Sequence, residues 1–295
     1  MATRVLHANA TARELGVVRA VVFAAWMWIV VRDPLTFYGE LPRSMYHPLG
    51  VLKLVPFEPA ALGTLRWALV ALLAACAIGV RPYRVLALAA ALLLTYQQGL
   101  LRAFTFNNHE ELALLVCTYV LALAPAEDGF AWPRRYTVHP RPELYPAALL
   151  AMSTLLLLPY CEIAAHRLAY AAPRVFTGES LPYWLASLSS LDRDGWGAGL
   201  WLLGHPTLVT FLKAGFVVTT LFELLAPLCL ILPRFRIVWV VVVVGFHVVN
   251  WFTLNLFFWQ NALLVLLLIG GGAERLSTAL VRKHRMTTMV QDGAR

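Results

Sequence analysis

IVWVVVVVGFHVVNWFTL, residues 237–254, decides what kind of molecule this is. Eighteen residues pass without an Asp, Glu, Lys or Arg, with a single imidazole at His247. A helix needs roughly 17–25 mostly apolar residues to cross the hydrocarbon of a bilayer. Similar runs recur along the chain, bounded by charge, Pro or Gly, at about 15–31, 61–79, 85–101, 111–125, 144–164, 208–232 and 257–272. Composition agrees: the 295 residues are 60% hydrophobic and only 14% charged, with mean hydropathy +0.69. Soluble domains carry about 25% charged residues, so this chain lacks the groups to coat a water-soluble globule. The expected fold is all-α, a polytopic integral membrane helical bundle of about eight transmembrane helices. The Pro-rich stretch 34–60 is expected to lie on or dip into the interface rather than span.

Charge orients the bundle. With a cytoplasmic N-terminus, the inner segments hold fourteen of the 24 Lys and Arg residues and the outer segments seven, while Arg19, Arg66 and Lys213 fall inside helix ends. That bias follows the positive-inside rule, returns the C-terminus to the cytoplasm, and makes the net charge of +8 mainly a topology signal. Anionic inner-leaflet lipid is the expected partner. No basic and aromatic stretch outside the spans calls for nucleic acid. Residues 1–14 then form a cytoplasmic N-terminal segment, 15–272 the transmembrane domain and 273–295 a basic cytoplasmic tail. Arg32-Asp33-Pro34 directly follows the first run without a small-residue cleavage pattern, so that run reads as a span and not a removed signal peptide. The four cysteines, Cys76, Cys117, Cys161 and Cys229, lie in apolar runs without CxxC spacing and read as small buried hydrophobes. The bias toward Ala, Leu and Arg suggests a GC-rich bacterial genome, hence a plasma (inner) membrane.

Ionisable groups in spans are costly and need a reason. Glu223 and His247 lie nine and ten residues from the inner ends of their runs. At 1.5 Å per residue, both stand about 14–15 Å up on consecutive antiparallel helices. Placed like that they can hydrogen-bond, as a clasp between helices, or they form a proton-handling pair or the floor of a cavity reached from outside. Other polar residues gather toward the outer face: Tyr96, Gln97 and Gln98, the stretch FNNHEEL at 106–112, then Tyr160, Glu162, His166 and Arg167. Lys213 enters about one turn into the sixth run, as a snorkelling lysine or a base. Asn108 and Glu111 have the spacing of a capping box opening the fourth helix, which does not account for Asn107 or His109; His109 reads either as a solvated or interfacial residue at a helix start or as a catalytic group. No HExxH, CxxC, GxSxG or Walker A pattern is present.

FNNHEELALL (106–115), YCEIAAHRL (160–168), FTGESLPYWL (176–185), FELLAPL (222–228) and GFHVVNW (245–251) follow one another in an order that resembles the HTTM (horizontally transferred transmembrane) family and the membrane domain of the vitamin K-dependent gamma-carboxylases. The resemblance covers about residues 15–270. It implies a membrane enzyme using a quinone or hydroquinone, with Asn108 and His109 on the Asn-Asn-His motif. Arg167 stands where the carboxylases carry their lysine base. An arginine stays protonated, so Arg167 is expected to bind an anion or phenolate rather than accept a proton. The expectation is an outward-facing pocket acting on a quinol-like, lipidic or small acidic substrate. Its candidate catalytic residues are His109, Asn108, Arg167, Lys213, Glu223 and His247. A non-catalytic scaffold or partner subunit is the alternative, and a small-molecule carrier with Glu223 and His247 on its path is a third.

Overall fold

The computed structural model describes residues 5–32, 35–55, 57–104, 110–132, 139–189, 198–256 and 258–293. It is 80% helical, with no strand among the described residues. Twelve α-helices occur there: α1 Ala12–Arg32, α2 Ala61–Ile78, α3 Tyr83–Phe104, α4 Leu112–Leu123, α5 Leu144–His166, α6 Arg174–Thr177, α7 Ser180–Ser189, α8 Gly199–Leu203, α9 Pro206–Leu224, α10 Pro233–Leu254, α11 Trp259–Leu264 and α12 Gly272–Gly293. Six are long and apolar enough to cross a membrane: α1, α2, α3, α5 with its continuation to Ala171, α9 and α10. A seventh arises if the segment Trp259–Ile269 and the helix after it, bent by 68°, count as one span.

Three of the eight expected spans are therefore qualified. The run 111–125 becomes α4, only 12 residues long. At 1.5 Å rise that is about 18 Å, short of the roughly 30 Å of a hydrocarbon core. The run 257–272 becomes α11 followed by a π-turn at Val265–Ile269. The run 208–232 is also interrupted. α9 stops at Leu224 and a 3-10 turn at Ala226–Leu230 carries Pro227, which has no N–H for an i→i−4 bond and disfavours helix in the residue before it. The expected tail from 273 is helical to Gly293.

The chain divides into two compact units, residues 9–152 with 271–295 and residues 1–8 with 153–270. In the first, α1 packs against α2, α4, α12 and the turn at Ala126–Asp128. Its fully buried Arg19 organises the unit. The guanidinium donates to the carbonyl oxygens of Ala77, Ala126 (2.7 Å), Gly129 (3.0 Å) and Phe130 (2.9 Å). A buried arginine survives only when its donors are met in this way. Ala77 lies in the last turn of α2, so the charge also suits the negative end of that helix. Room for this comes from glycine: a Cβ on Gly16 would overlap the Gly129 carbonyl, one on Gly129 the Ala12 carbonyl, and one on Gly79 (φ +75°) the Arg19 fork. Higher in α1, the Trp26 indole N–H donates to Thr118 Oγ1 of α4 at 3.0 Å. The segment 35–54 forms three 3-10 turns, and its Tyr38 and Tyr46 pack with Phe57 against Phe104 at the end of α3.

The second unit contains the rest of α5, then α6–α11, and the N-terminal strap. In the strap the Leu6 amide donates to the Leu230 carbonyl (2.9 Å), and the His7 ring nitrogen Nε2 lies 3.0 Å from Ser153 Oγ. Burial, reinforced by the positive charge of Arg236, lowers the His7 pKa from 6.5 to about 4. A docked imidazole with a depressed pKa is neutral, whereas the released strap titrates near the free value. Docking is therefore complete above pH 6.5 and weakens as pH falls from 6.5 toward 4. Hydrogen exchange at residues 5–8 should be markedly faster at pH 5 than at pH 7 after correction for intrinsic rates, and His7→Gln should remove that difference. Equal protection of the wild type at both pH values would refute the coupling.

Candidate functional site

The second unit brings together polar groups from three helices. α5 passes from its α-helical part into a π-turn at Arg167–Ala171, a wide turn of the kind often found at functional sites. Arg167 opens that turn. Its Nη1 donates to Glu223 Oε2 at 2.6 Å and to Thr220 Oγ1 at 3.1 Å, and its guanidinium carbon sits 4.8 Å from the centre of the Phe216 ring. Glu223 is only 3% exposed, so without a cation it would be an uncompensated charge in an apolar interior.

Seven residues before Arg167 on α5, Tyr160 stands edge-on to the fully buried Trp239 of α10, and its hydroxyl lies 2.9 Å from His247 Nε2. The Trp239 indole N–H donates to the Phe222 carbonyl at 2.9 Å, which holds α10 against the end of α9 and fixes the wall behind Tyr160. Seven residues, about two helical turns, put Tyr160 and Arg167 on one face, so the ion pair and the Tyr–His pair lie along the same side of this segment. The other imidazole nitrogen, Nδ1 of His247, is buried and has no hydrogen-bond partner among the described residues. Phe246 and Phe258 flank the ring. Chemically the cluster offers a fixed cation, a carboxylate, a phenol and an imidazole with one nitrogen open.

The hydrogen bond that matched depth would allow between Glu223 and His247 is not formed: the carboxylate goes to Arg167 and the imidazole to Tyr160. That expectation requires the sixth helix to run to 232, but α9 ends at Leu224, so Glu223 belongs to its last turn. Arg167 does not reach for the headgroups as a helix-end cation commonly does; it pairs inward. Lys213 is the eighth residue of α9, about two turns in rather than one, half-buried and without a hydrogen bond or ion pair among the described residues. Asn107, Asn108 and His109 lie outside the described residues, so the capping-box expectation for Asn108 does too. α4 begins at Leu112, with Glu111 immediately before the helix instead of inside its first turn. The four cysteines are free thiols, three of them buried and Cys161 partly so. Among the described residues no group of three or more His, Cys, Asp or Glu could hold a metal ion.

Sequence reasoning missed Thr220, Phe216 and Trp239, and it saw Tyr160 only as part of a polar helix end. A signal for the first two was present. Lys213, Phe216, Thr220 and Glu223 are spaced i, i+3, i+7 and i+10, which places them on one face of a helix. The α5 partners carry no such signal, because they are more than fifty residues away in the chain. The chain matches no family model, no curated protein and no solved structure.

Proposed function

We propose that the chain is a multi-pass membrane protein similar to the HTTM proteins and to the membrane domain of the vitamin K-dependent gamma-carboxylases, and that its second unit binds a quinol-like, lipidic or small acidic molecule. In this reading Arg167 clamps an anion or phenolate, and Glu223 and the Tyr160–His247 pair handle a proton at the bound molecule. His109 and Asn108 would act beside them, as the resemblance implies. Both termini are cytoplasmic in this reading, the membrane is a bacterial plasma membrane, and anionic inner-leaflet lipid meets the basic C-terminal segment.

The observation that carries the reading is the unfinished hydrogen bonding of His247. A purely structural clasp satisfies its buried polar atoms, because each one left unmet costs about 1–3 kcal/mol. Here a carboxylate, a phenol and an imidazole share an apolar interior, and one ring nitrogen is left open within it. A scaffold with no ligand is the second reading, favoured by the Arg167–Glu223–Thr220 contacts, which tie α5 to α9 unaided.

The test is mass spectrometry of extracts from purified, monodisperse wild type, Arg167→Ala and His109→Ala. A quinone or lipid held stoichiometrically by the wild type and depleted in both variants is the expected result. If all three release the same bulk lipid profile, the cluster is a clasp and the scaffold reading stands.

A further inference from the structure

Lys213 is the group that the cluster leaves unexplained. It shares one face of α9 with Val209, Phe216, Thr220 and Glu223, spaced −4, +3, +7 and +10 residues from it. Side chains on a helix lean toward its N-terminus, which for Lys213 is the direction of Val209. That position is closed: Val209 is buried in an apolar cluster with Leu181, Leu185, Leu202 and Leu254. The i−4 neighbour thus offers the ammonium no polar partner, while the i−3 neighbour, Thr210, is exposed. Phe216 lies one turn to the other side and carries the Arg167 guanidinium on its ring. Helical spacing places Lys213 one turn from that aromatic side chain.

Neither cation is fully used. Both Arg167 hydrogen bonds come from Nη1, so Nε and Nη2 have no acceptor among the described residues, and 21% of that side chain is accessible. Lys213 has no acceptor at all among the described residues. Among the described residues the one carboxylate paired with either of these two cations is Glu223, which meets Arg167. Glu162 and Glu179, the nearest acids in sequence on α5 and before α7, are exposed and pair with neither cation. Among the described residues the Lys213 charge has no paired carboxylate, and its neighbourhood on α9 is aromatic: Phe176, Trp184 and Phe246 each pack against Phe216.

We infer that the site binds an amphiphile bearing one negative charge, with its carboxylate or phosphate held between Lys213 and the open edge of Arg167 and its apolar part against the rings of Phe176, Trp184, Phe216 and Phe246. This rests on the site reading above and narrows it: the ligand is anionic and lipidic at once, not a neutral quinone. A free fatty acid and an anionic phospholipid share that chemistry.

The experiment measures retention of labelled oleate by purified protein in neutral detergent, with methyl oleate, ubiquinone and phosphatidylglycerol as competitors. Oleate is expected to bind wild type. Removing a charge-assisted hydrogen bond from an apolar site weakens binding by about tenfold or more, so Lys213→Gln should bind at least that much more weakly, and Lys213→Arg should stay within about threefold of wild type. Methyl oleate and ubiquinone should not compete. Competition by phosphatidylglycerol at lower concentration than unlabelled oleate makes the phospholipid the source; the reverse order makes it the fatty acid. If Lys213→Gln is not monodisperse, the comparison of oleate with its methyl ester on wild type and Lys213→Arg still reads the charge requirement. Retention by Lys213→Gln equal to wild type, or equal competition by methyl oleate, overturns the inference. Should Arg167→Gln alone abolish binding in that case, the site reading survives without Lys213. No retention of oleate by any form overturns the inference and leaves the site reading to the extraction experiment above.

Discussion

Arg19→Met should abolish recovery of monodisperse protein from the membrane. The substitution keeps most of the stem volume of the side chain and removes every donor. The carbonyls of Ala77, Ala126, Gly129 and Phe130 would be deprived of the group that serves all four. A buried acceptor left unmet costs about 1–3 kcal/mol, and four together rival the whole stability of a typical domain, about 5–15 kcal/mol. Arg19→Lys should fail almost as completely, because an ammonium offers three donors from one point while these acceptors surround a planar fork. Fluorescence-detected size exclusion after mild detergent extraction reads the outcome. A normal monodisperse peak for Arg19→Met, with a thermal midpoint near wild type, would show that the carbonyls find other donors and that Arg19 is not what joins α1 to the 126–130 turn.

Glu223→Ala should strongly destabilise the second unit. It leaves Arg167 partly buried and without its counterion, a situation that costs about 3–5 kcal/mol for a fully buried pair; with 21% of the arginine side chain accessible, the lower end is expected. Arg167→Leu should cost a comparable amount, by stranding the carboxylate. The double substitution Arg167→Leu with Glu223→Leu should recover much of the stability, because an apolar replacement of both partners is often neutral. The single effects would then sum to well over the double effect, by about 2 kcal/mol or more, the sign of direct coupling. Thr220→Val, which removes one further acceptor of Arg167, should cost about 1 kcal/mol. Thermal midpoints in a fixed detergent give the cycle. Additive single effects would mean that the 2.6 Å ion pair contributes nothing that each residue does not contribute alone. The same double variant should also fail to retain the ligand, which separates a stable fold from a working site.

Legibility differed between elements for reasons that can be traced. The runs at 15–31, 61–79, 85–101 and 237–254 became α1, α2, α3 and α10 with ends shifted by a few residues, because apolar length and bounding charge are properties of the local sequence. The same logic overextends at 208–232. There Pro227 is the local signal for a stop, and reading through it moves Glu223 from the last turn of α9 to a mid-helix position. The candidate site was legible as residue types: Arg167, Glu223, His247 and Lys213 all stand out as polar groups that a span must justify. Who pairs with whom was not legible. Arg167 meets Glu223 across 56 positions of chain and Tyr160 meets His247 across 87. Such pairings depend on how α5 lies against α9 and α10, which no periodicity within any one of them records.

The acceptors of Arg19 also set an order of events. Ala77 comes 58 residues after the arginine, and Ala126, Gly129 and Phe130 come 107, 110 and 111 residues after it. While the chain is being synthesised, α1 reaches the bilayer carrying a cation whose partners do not yet exist. α2 can bring the first of them, and the rest appear only once the polypeptide beyond α4 has emerged. Until then the first helix has to shelter its charge in water or against the insertion machinery, so its final seating waits on a turn made more than a hundred residues later.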